Sequence, residues 1–316
     1  MKRALLVGVD HYDNFRPLAG CCNDVKALAP LLRSNEDENR NFYCATRTSD
    51  LTRITRDALV SDLERLLAPA ADVALLYFAG HGQPMPNDVV LCTADGTPTS
   101  PGVSLSTILG MVMSSAVPEV ILLLDCCFSG AAGGVPQLGS SAATIRSGVS
   151  IITAARGDQP AAEVRGRGLF ATYLEDALRG GAADLLGKVT VASVYAYLSD
   201  MFGPWDQRPT FKANIDRLHE LRQTRPDLTV KQLRALIALF PTADHALPLD
   251  PSYEPDAEPR SLLHEQDFGL LQAARAVKLV EPVGELHMYY AAINSKSCRL
   301  TKLGQHYWKL IDKDRL

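Results

Sequence analysis

The stretch VALLYFAGHG, Val73–Gly82, decides the fold. Its apolar run has no alternation, as expected of a strand buried on both faces. It stops at Gly80-His81-Gly82, two glycines around an imidazole. Glycine on each side permits a tight turn and leaves room for another backbone to approach. A second stretch repeats the pattern. Val120–Gly130, VILLLDCCFSG, is an apolar run that ends in Asp125-Cys126-Cys127-Phe128-Ser129-Gly130.

Outward from these two, strand and helix signals alternate. Arg3–Val9 is a further apolar strand. It is followed by a helix with Asp24 near its start and apolar positions at Val25, Leu28, Ala29, Leu31 and Leu32. Phe42–Thr46 reads as a strand, and Leu51–Leu67 as an amphipathic helix with Ile54, Leu59, Leu63, Leu66 and Leu67 on one side. Leu105–Met113, Leu169–Leu178 and Val189–Met201 read as helices, with strands at Val149–Thr153 and Gln207–Phe211. The alternation predicts an α/β sandwich on a mostly parallel sheet. Ligands bind such sheets beyond the carboxyl ends of the strands, which directs attention to the residues after Ala79 and Leu124.

Those residues are His81 and Cys127. A thiol needs a nearby base because the thiolate is the nucleophile, and an imidazole can take its proton and return it to a leaving amine. The backbone N–H groups of Gly82 and Cys127 are candidates for an oxyanion hole. Neither side chain is distinctive alone, since free cysteines are often buried core and single histidines are often surface residues. Both at glycine-flanked strand ends make a specific constellation.

Composition narrows the alternatives. The 316 residues are 47% hydrophobic and 22% charged, which suits a soluble globular chain. A formal net charge of -4 gives no global argument for nucleic acid or an anionic membrane as partner. The apolar run after Met1-Lys2-Arg3 stops at Asp10, too short for a signal peptide, and no stretch reaches the length of a membrane span. A cytoplasmic protein is expected. Seven cysteines, with Cys21-Cys22 and Cys126-Cys127 adjacent, fit neither a disulfide framework nor zinc spacing. No metal or other cofactor is expected.

The pair GHG and DCCFSG resembles the caspase-like peptidases, closest to metacaspases and their bacterial relatives. The resemblance includes Leu18–Asp24 (LAGCCND) and Ile152–Gln159 (ITAARGDQ), and covers roughly residues 1–215. It implies a caspase-like three-layer sandwich with His81 and Cys127 as catalytic dyad. Cys126 falls on a variable position, expected to face the core, and Phe128 stands where metacaspases often have His. The resemblance also implies that Asp24 and Asp125 line the pocket for the residue before the cut, with Asp158 a further contributor. Two carboxylates suit a guanidinium or ammonium, so cleavage after Arg, or Lys, is expected. Asp24 is open to a second reading as a helix N-cap, and Asp125 as a brace for the turn. An Arg-specific enzyme can also cut itself, and Arg146, in a Gly/Ala/Ser-rich loop over 130–148, is the leading site ahead of Arg165 and Arg167.

Beyond about residue 217 the character changes. The expected organisation is a peptidase domain over 1–216, a helical connector and Pro-rich acidic linker over 217–259, and a small α+β module over 260–316. That module is expected to hold helices at Asp267–Leu279 and Leu303–Ile311, with His287–Ile293 strand-like. Cys298–Trp308 (CRLTKLGQHYW) resembles the close of a winged-helix module. Its mixed charge favours a regulatory or activating protein as partner over nucleic acid. Caspase-like proteases with such a tail resemble effectors of bacterial antiviral defence. The rival reading is a non-catalytic caspase-fold scaffold acting through its tail.

Overall fold

The computed structural model describes residues 1–86, 88–126, 145–154, 166–202, 209–215, 218–258 and 260–316. These fall into two compact units, Met1–Arg225 and Pro226–Leu316. The boundary lies later than the expected break after residue 216.

The first unit is built on a six-stranded sheet. Its strands are β1 (Lys2–Gly8), β2 (Phe42–Thr48), β3 (Val73–Gly80), β7 (Glu119–Cys126), β8 (Val149–Thr153) and β10 (Thr210–Asn214), in the order β10-β8-β7-β3-β1-β2. All neighbours run parallel except β10, which pairs antiparallel with β8. Every residue of β3 and β7 is buried, as their continuous apolar runs required. A small antiparallel sheet follows β3 directly, formed by β4 (Gly82–Met85), β5 (Asp88–Thr97) and β6 (Ser100–Ser104). Two short strands, β9 (Lys188–Thr190) and β11 (Glu220–Gln223), pair separately.

Helices cover both faces. On one, α2 (Arg56–Leu66) and α3 (Leu105–Ser114) pack Leu59, Leu63, Ile108 and Val112 against Leu5, Val7, Leu76 and Leu122. On the other, α1 (Cys21–Arg33), α4 (Leu169–Asp176) and α5 (Val191–Met201) pack Val25, Leu28, Phe170, Leu174 and Leu198 against Leu6, Leu75, Tyr77 and Leu123. Side chains alternate across each strand, so the sheet feeds two separate cores. This is the three-layer α/β sandwich expected from the sequence.

Several boundaries differ, each for a local reason. The helix expected over Leu51–Leu67 begins only at Arg56, because the Thr55 side chain accepts from the amide of Ala58 and caps it. Residues 188–190 form β9 rather than the start of a helix, and a capping box between Thr190 and Ser193 starts α5. The helix expected to reach Leu178 passes at Ala177 into a wide turn, Ala177–Gly181, with Gly180 at φ 122°. The last sheet strand lies at Thr210–Asn214, later than the Gln207–Phe211 expected.

The second unit holds α6 (Val230–Ala238), β12 (Ala246–Pro248), α7 (Leu262–Ala276), β13 (Val280–Val283), α8 (Met288–Ile293), β14 (Ser297–Leu300) and α9 (Lys302–Asp312). Its sheet has the order β12-β14-β13. The linker expected within 217–259 is therefore partly structure. It supplies β12 to this sheet and a short 3₁₀ turn whose Tyr253 stacks on His264 at 4.3 Å between ring centroids. The strand-like reading of His287–Ile293 is also corrected. Met288, Ala291 and Ala292 are the buried positions, a helical spacing that the aromatic Tyr289-Tyr290 pair obscures.

Candidate active site

His81 joins the six-stranded sheet to the small β4-β5-β6 sheet, between Gly80 at the end of β3 and Gly82 at the start of β4. Its backbone is held from both sides. The amide donates to the Tyr12 hydroxyl at 2.8 Å, and the carbonyl accepts from the amide of Cys92 at 2.9 Å. The half-buried ring lies 4.9 Å from the Tyr12 ring and 6.4 Å from that of Phe15, centroid to centroid. Nε2 lies 2.7 Å from the backbone carbonyl oxygen of Arg16. A carbonyl can only accept, so this contact places the proton of a neutral imidazole on Nε2 and leaves the Nδ1 lone pair as the base. Gly80 makes this packing possible. A Cβ there would fall 2.7 Å from the Tyr12 hydroxyl and 3.1 Å from ring atoms of Phe78.

On the neighbouring strand Cys126 is the register partner of Gly80, and Asp125 that of Ala79. Cys126 is buried in the core at 1% exposure, the orientation expected for the non-nucleophilic member of the cysteine pair. Cys127 lies outside the described residues, as does Asp158.

Asp24 and Asp125 are both buried. Asp125 accepts from the Tyr77 hydroxyl at 3.2 Å, and burial with this carboxylate nearby pushes the Tyr77 phenol well up. Burial pushes the Asp24 carboxyl up to about 7, and the negative charge of Asp125 adds to the shift. Two groups oppose it. Arg167 donates from Nε to Asp24 Oδ1 at 3.0 Å, and the amide of Gly168 donates to Oδ2 at 3.2 Å. The same guanidinium also donates to Glu175, which Arg179 holds from its other side. The Cys21 thiol feels burial first, then the charges of Asp10, Asp125 and Asp24, and is pushed far up.

Asp24 is not the N-cap of α1. Gly20 occupies that position, and the orphan amides of Cys21 and Cys22 donate instead to Asp10, at 2.9 and 3.1 Å. Asp10, Tyr12, Tyr77, Arg167 and Glu175 were not read from the sequence as parts of this site. An acid directly after a strand, as Asp10 is, was the one available signal. The Arg16 carbonyl has no side-chain signature at all.

Gly82 opens β4 opposite Leu91. Arg146 lies just before β8 with its guanidinium on backbone carbonyls, Nε to Val112 at 3.0 Å, Nη2 to Val117 at 2.7 Å and Nη1 to Ser147 at 2.9 Å. To enter an active site it must leave all three. Among the described residues no group of three or more His, Cys, Asp or Glu is placed to hold a metal ion. Among them, too, no helix is long and apolar enough to cross a membrane.

A mostly parallel sheet with a histidine at the carboxyl end of β3, and the buried Asp125 near the carboxyl end of the adjacent β7, makes an α/β domain. Residues 1–219 match the family model described as the caspase domain, and the chain belongs to that family of cysteine peptidases. Metacaspase-2 of Trypanosoma brucei brucei is 28% identical over 217 residues, 57% of this chain and 61% of that protein. Metacaspase-3 of the same organism is likewise 28% identical, over 57% of this chain and 59% of that protein. The chain thus spans about three fifths of the length of these curated relatives. Among solved structures, caspase-1 from Spodoptera frugiperda matches with a TM-score of 0.50 at 12% identity, over 71% of this chain and 90% of that one, a likeness of fold.

Proposed function

We propose that this protein is a cysteine endopeptidase that cuts protein substrates after arginine or lysine. Cys127 is the nucleophile and His81 its general base. His81 and Cys127 each follow by one residue a register pair on adjacent strands, Gly80 and Cys126. The thiol proton passes to Nδ1 of His81, and the thiolate attacks the scissile carbonyl. The amides of Gly82 and Cys127 hold the oxyanion. Collapse of the intermediate moves the proton from the imidazolium to the leaving amine, and water, deprotonated by His81, then cleaves the thioester. The contact from Nε2 to the Arg16 carbonyl carries this reading, because it turns the basic nitrogen of a neutral ring away from that anchor.

Asp24 and Asp125 receive the basic side chain, with Asp158 as a further contributor. In support, Asp24 binds a guanidinium within the protein, that of Arg167, which an incoming arginine displaces or shares. The test is charge removal. Asp24→Asn and Asp125→Asn raise KM for an arginyl substrate about tenfold or more each and leave a neutral-residue substrate unaffected. Equal losses on both substrates would defeat the pocket assignment.

The second unit serves as a winged-helix-like module for a regulatory or activating protein. Its support is the antiparallel β13–β14 pair, which enters α9 through a turn capped by Thr301. A cytoplasmic effector of antiviral defence, with Arg146 as its site of self-cleavage, completes the proposal. Intact mass of active enzyme, compared with Cys127→Ala and Arg146→Gln, checks the last point.

A further inference from the structure

The end of the sheet opposite His81 carries a second feature. A cavity of about 530 Å³ opens along the edge strand β2, near the amino ends of β1 and β2 and the carboxyl ends of α1 and α2. Five guanidinium groups line it, those of Arg3, Arg33, Arg40, Arg47 and Arg65, against the single carboxylate of Asp62. Three are committed within the protein. Arg3 donates to the carbonyls of Ala68 at 2.6 Å and Pro69 at 3.0 Å, and Arg47 and Arg65 share Asp62. Arg33 and Arg40 are exposed and have no carboxylate partner among the described residues. Arg40 lies over the ring of Tyr43, 5.1 Å from its centroid, and Tyr43 is itself half exposed. Arg33 lies close enough to Cys44 to oppose the burial that pushes this thiol up to about 11.

The strand along this cavity is unusual for an edge. Among the described residues β2 pairs only with β1, and Tyr43, Ala45 and Thr46 along it are exposed. Its outer N–H and C=O groups form a row that another extended backbone can join. Arg47 is the one charge on the strand itself, and it is already paired with Asp62. A positive surface beside an unpaired strand edge selects a particular ligand. Backbone pairing calls for an extended peptide, and unbalanced guanidinium groups call for carboxylates on it.

We propose that β2 and its arginine-lined groove bind an extended acidic segment of a protein partner by strand addition, at the end of the sheet remote from the His81 site. The acidic side chains sit on Arg33 and Arg40, and the backbone pairs with β2. This docks a substrate or regulator without occupying the catalytic end.

The test uses fluorescence anisotropy on the full chain with three labelled decapeptides. One alternates valine with glutamate, one alternates valine with glutamine, and the third is the glutamate peptide with every backbone amide N-methylated. The glutamate peptide is expected to bind more than tenfold tighter than the glutamine peptide, and N-methylation to abolish binding. The double variant Arg33→Ala/Arg40→Ala weakens it about tenfold and flattens its salt dependence, as expected when two exposed charge contacts are lost. Both side chains are exposed, so the variant folds, and far-UV circular dichroism verifies this. Hydrogen exchange adds a positional readout, with protection on binding at β2 and none at β10, the other sheet edge. Equal binding of the glutamate and glutamine peptides, survival of binding after N-methylation, or an unchanged affinity in the double variant overturns the proposal. Binding of tripolyphosphate but not of the glutamate peptide also overturns it, and would make the groove a small-anion site.

Discussion

Replacing Arg167 with glutamine should cost stability in a way that grows with pH. The side chain is 23% exposed and bonds to Asp24, which is 2% exposed, and to Glu175. Asp24 has its carboxyl pushed up from 3.8 to about 7, burial being the largest cause. The native state therefore keeps a proton that the unfolded chain releases, and Asp24 loses stability for the fold as pH rises from about 4 through about 7. Arg167 limits that loss. Without it the carboxyl rises further, and each added unit costs about 1.4 kcal/mol once Asp24 ionises. Breaking a fully buried pair costs about 3–5 kcal/mol, and the partial exposure of Arg167 reduces this to about 2–3 kcal/mol at pH 8.5. At pH 5.5 Asp24 is protonated in both proteins, and the loss shrinks to about 1 kcal/mol, that of ordinary hydrogen bonds. Urea unfolding at the two pH values, followed by far-UV circular dichroism, measures the difference. Arg179→Gln is the control, because it touches Glu175 but not Asp24 and should cost about 0.5 kcal/mol or less at both. A loss for Arg167→Gln that is equal at both pH values, or larger at pH 5.5, would refute the reasoning.

Other consequences follow from the same geometry. Tyr12→Phe removes the acceptor of the His81 amide, and should cost about 1–2 kcal/mol and lower kcat with little change in KM, checked by steady-state kinetics. Gly80→Ala should lower kcat more than stability, because its new Cβ displaces Tyr12 from beneath His81, and a crystal structure of the variant would show the shift. Gly8→Ala should destabilise by about 2 kcal/mol or more in thermal unfolding, because its Cβ would lie 2.4 Å from the backbone oxygen of Cys21 and push α1 off the sheet. Burial raises the thiols of Cys21, Cys22, Cys44, Cys92 and Cys298, so one equivalent of iodoacetamide at pH 7 should label Cys127 alone, as peptide mass spectrometry can establish.

The layers of the fold were legible because buried parallel strands leave an unmistakable mark. Val73–Gly80 is apolar throughout and Val120–Leu124 is an unbroken apolar run, and no helix face needs that pattern. The glycines around His81 marked the turn, and at Gly80 only a residue without Cβ fits against Tyr12 and Phe78. Cys126 is assigned to the core through the resemblance, which puts it on the variable position before Cys127, and it is 1% exposed. What escaped the sequence was set by contacts distant along the chain. Arg167 meets Asp24 across 143 positions, and Tyr77 meets Asp125 across 48. No local pattern encodes either. The Arg16 contact uses a backbone carbonyl, which any residue could supply. The tail misled for a different reason. Aromatic residues at 289 and 290 suggested a strand, while the small buried Ala291 and Ala292 set a helix.

The central claim is that His81 and Cys127 form a dyad behind a pocket for basic side chains. Its most direct test is the hydrolysis of fluorogenic peptides with Arg, Lys or Asp before the scissile bond, by the wild type and by Cys127→Ala, Cys126→Ala and His81→Ala. The account predicts cleavage after Arg and Lys by the wild type and by Cys126→Ala, and none by Cys127→Ala or His81→Ala. Cleavage that survives Cys127→Ala, or a wild type that cuts only after Asp, would contradict it.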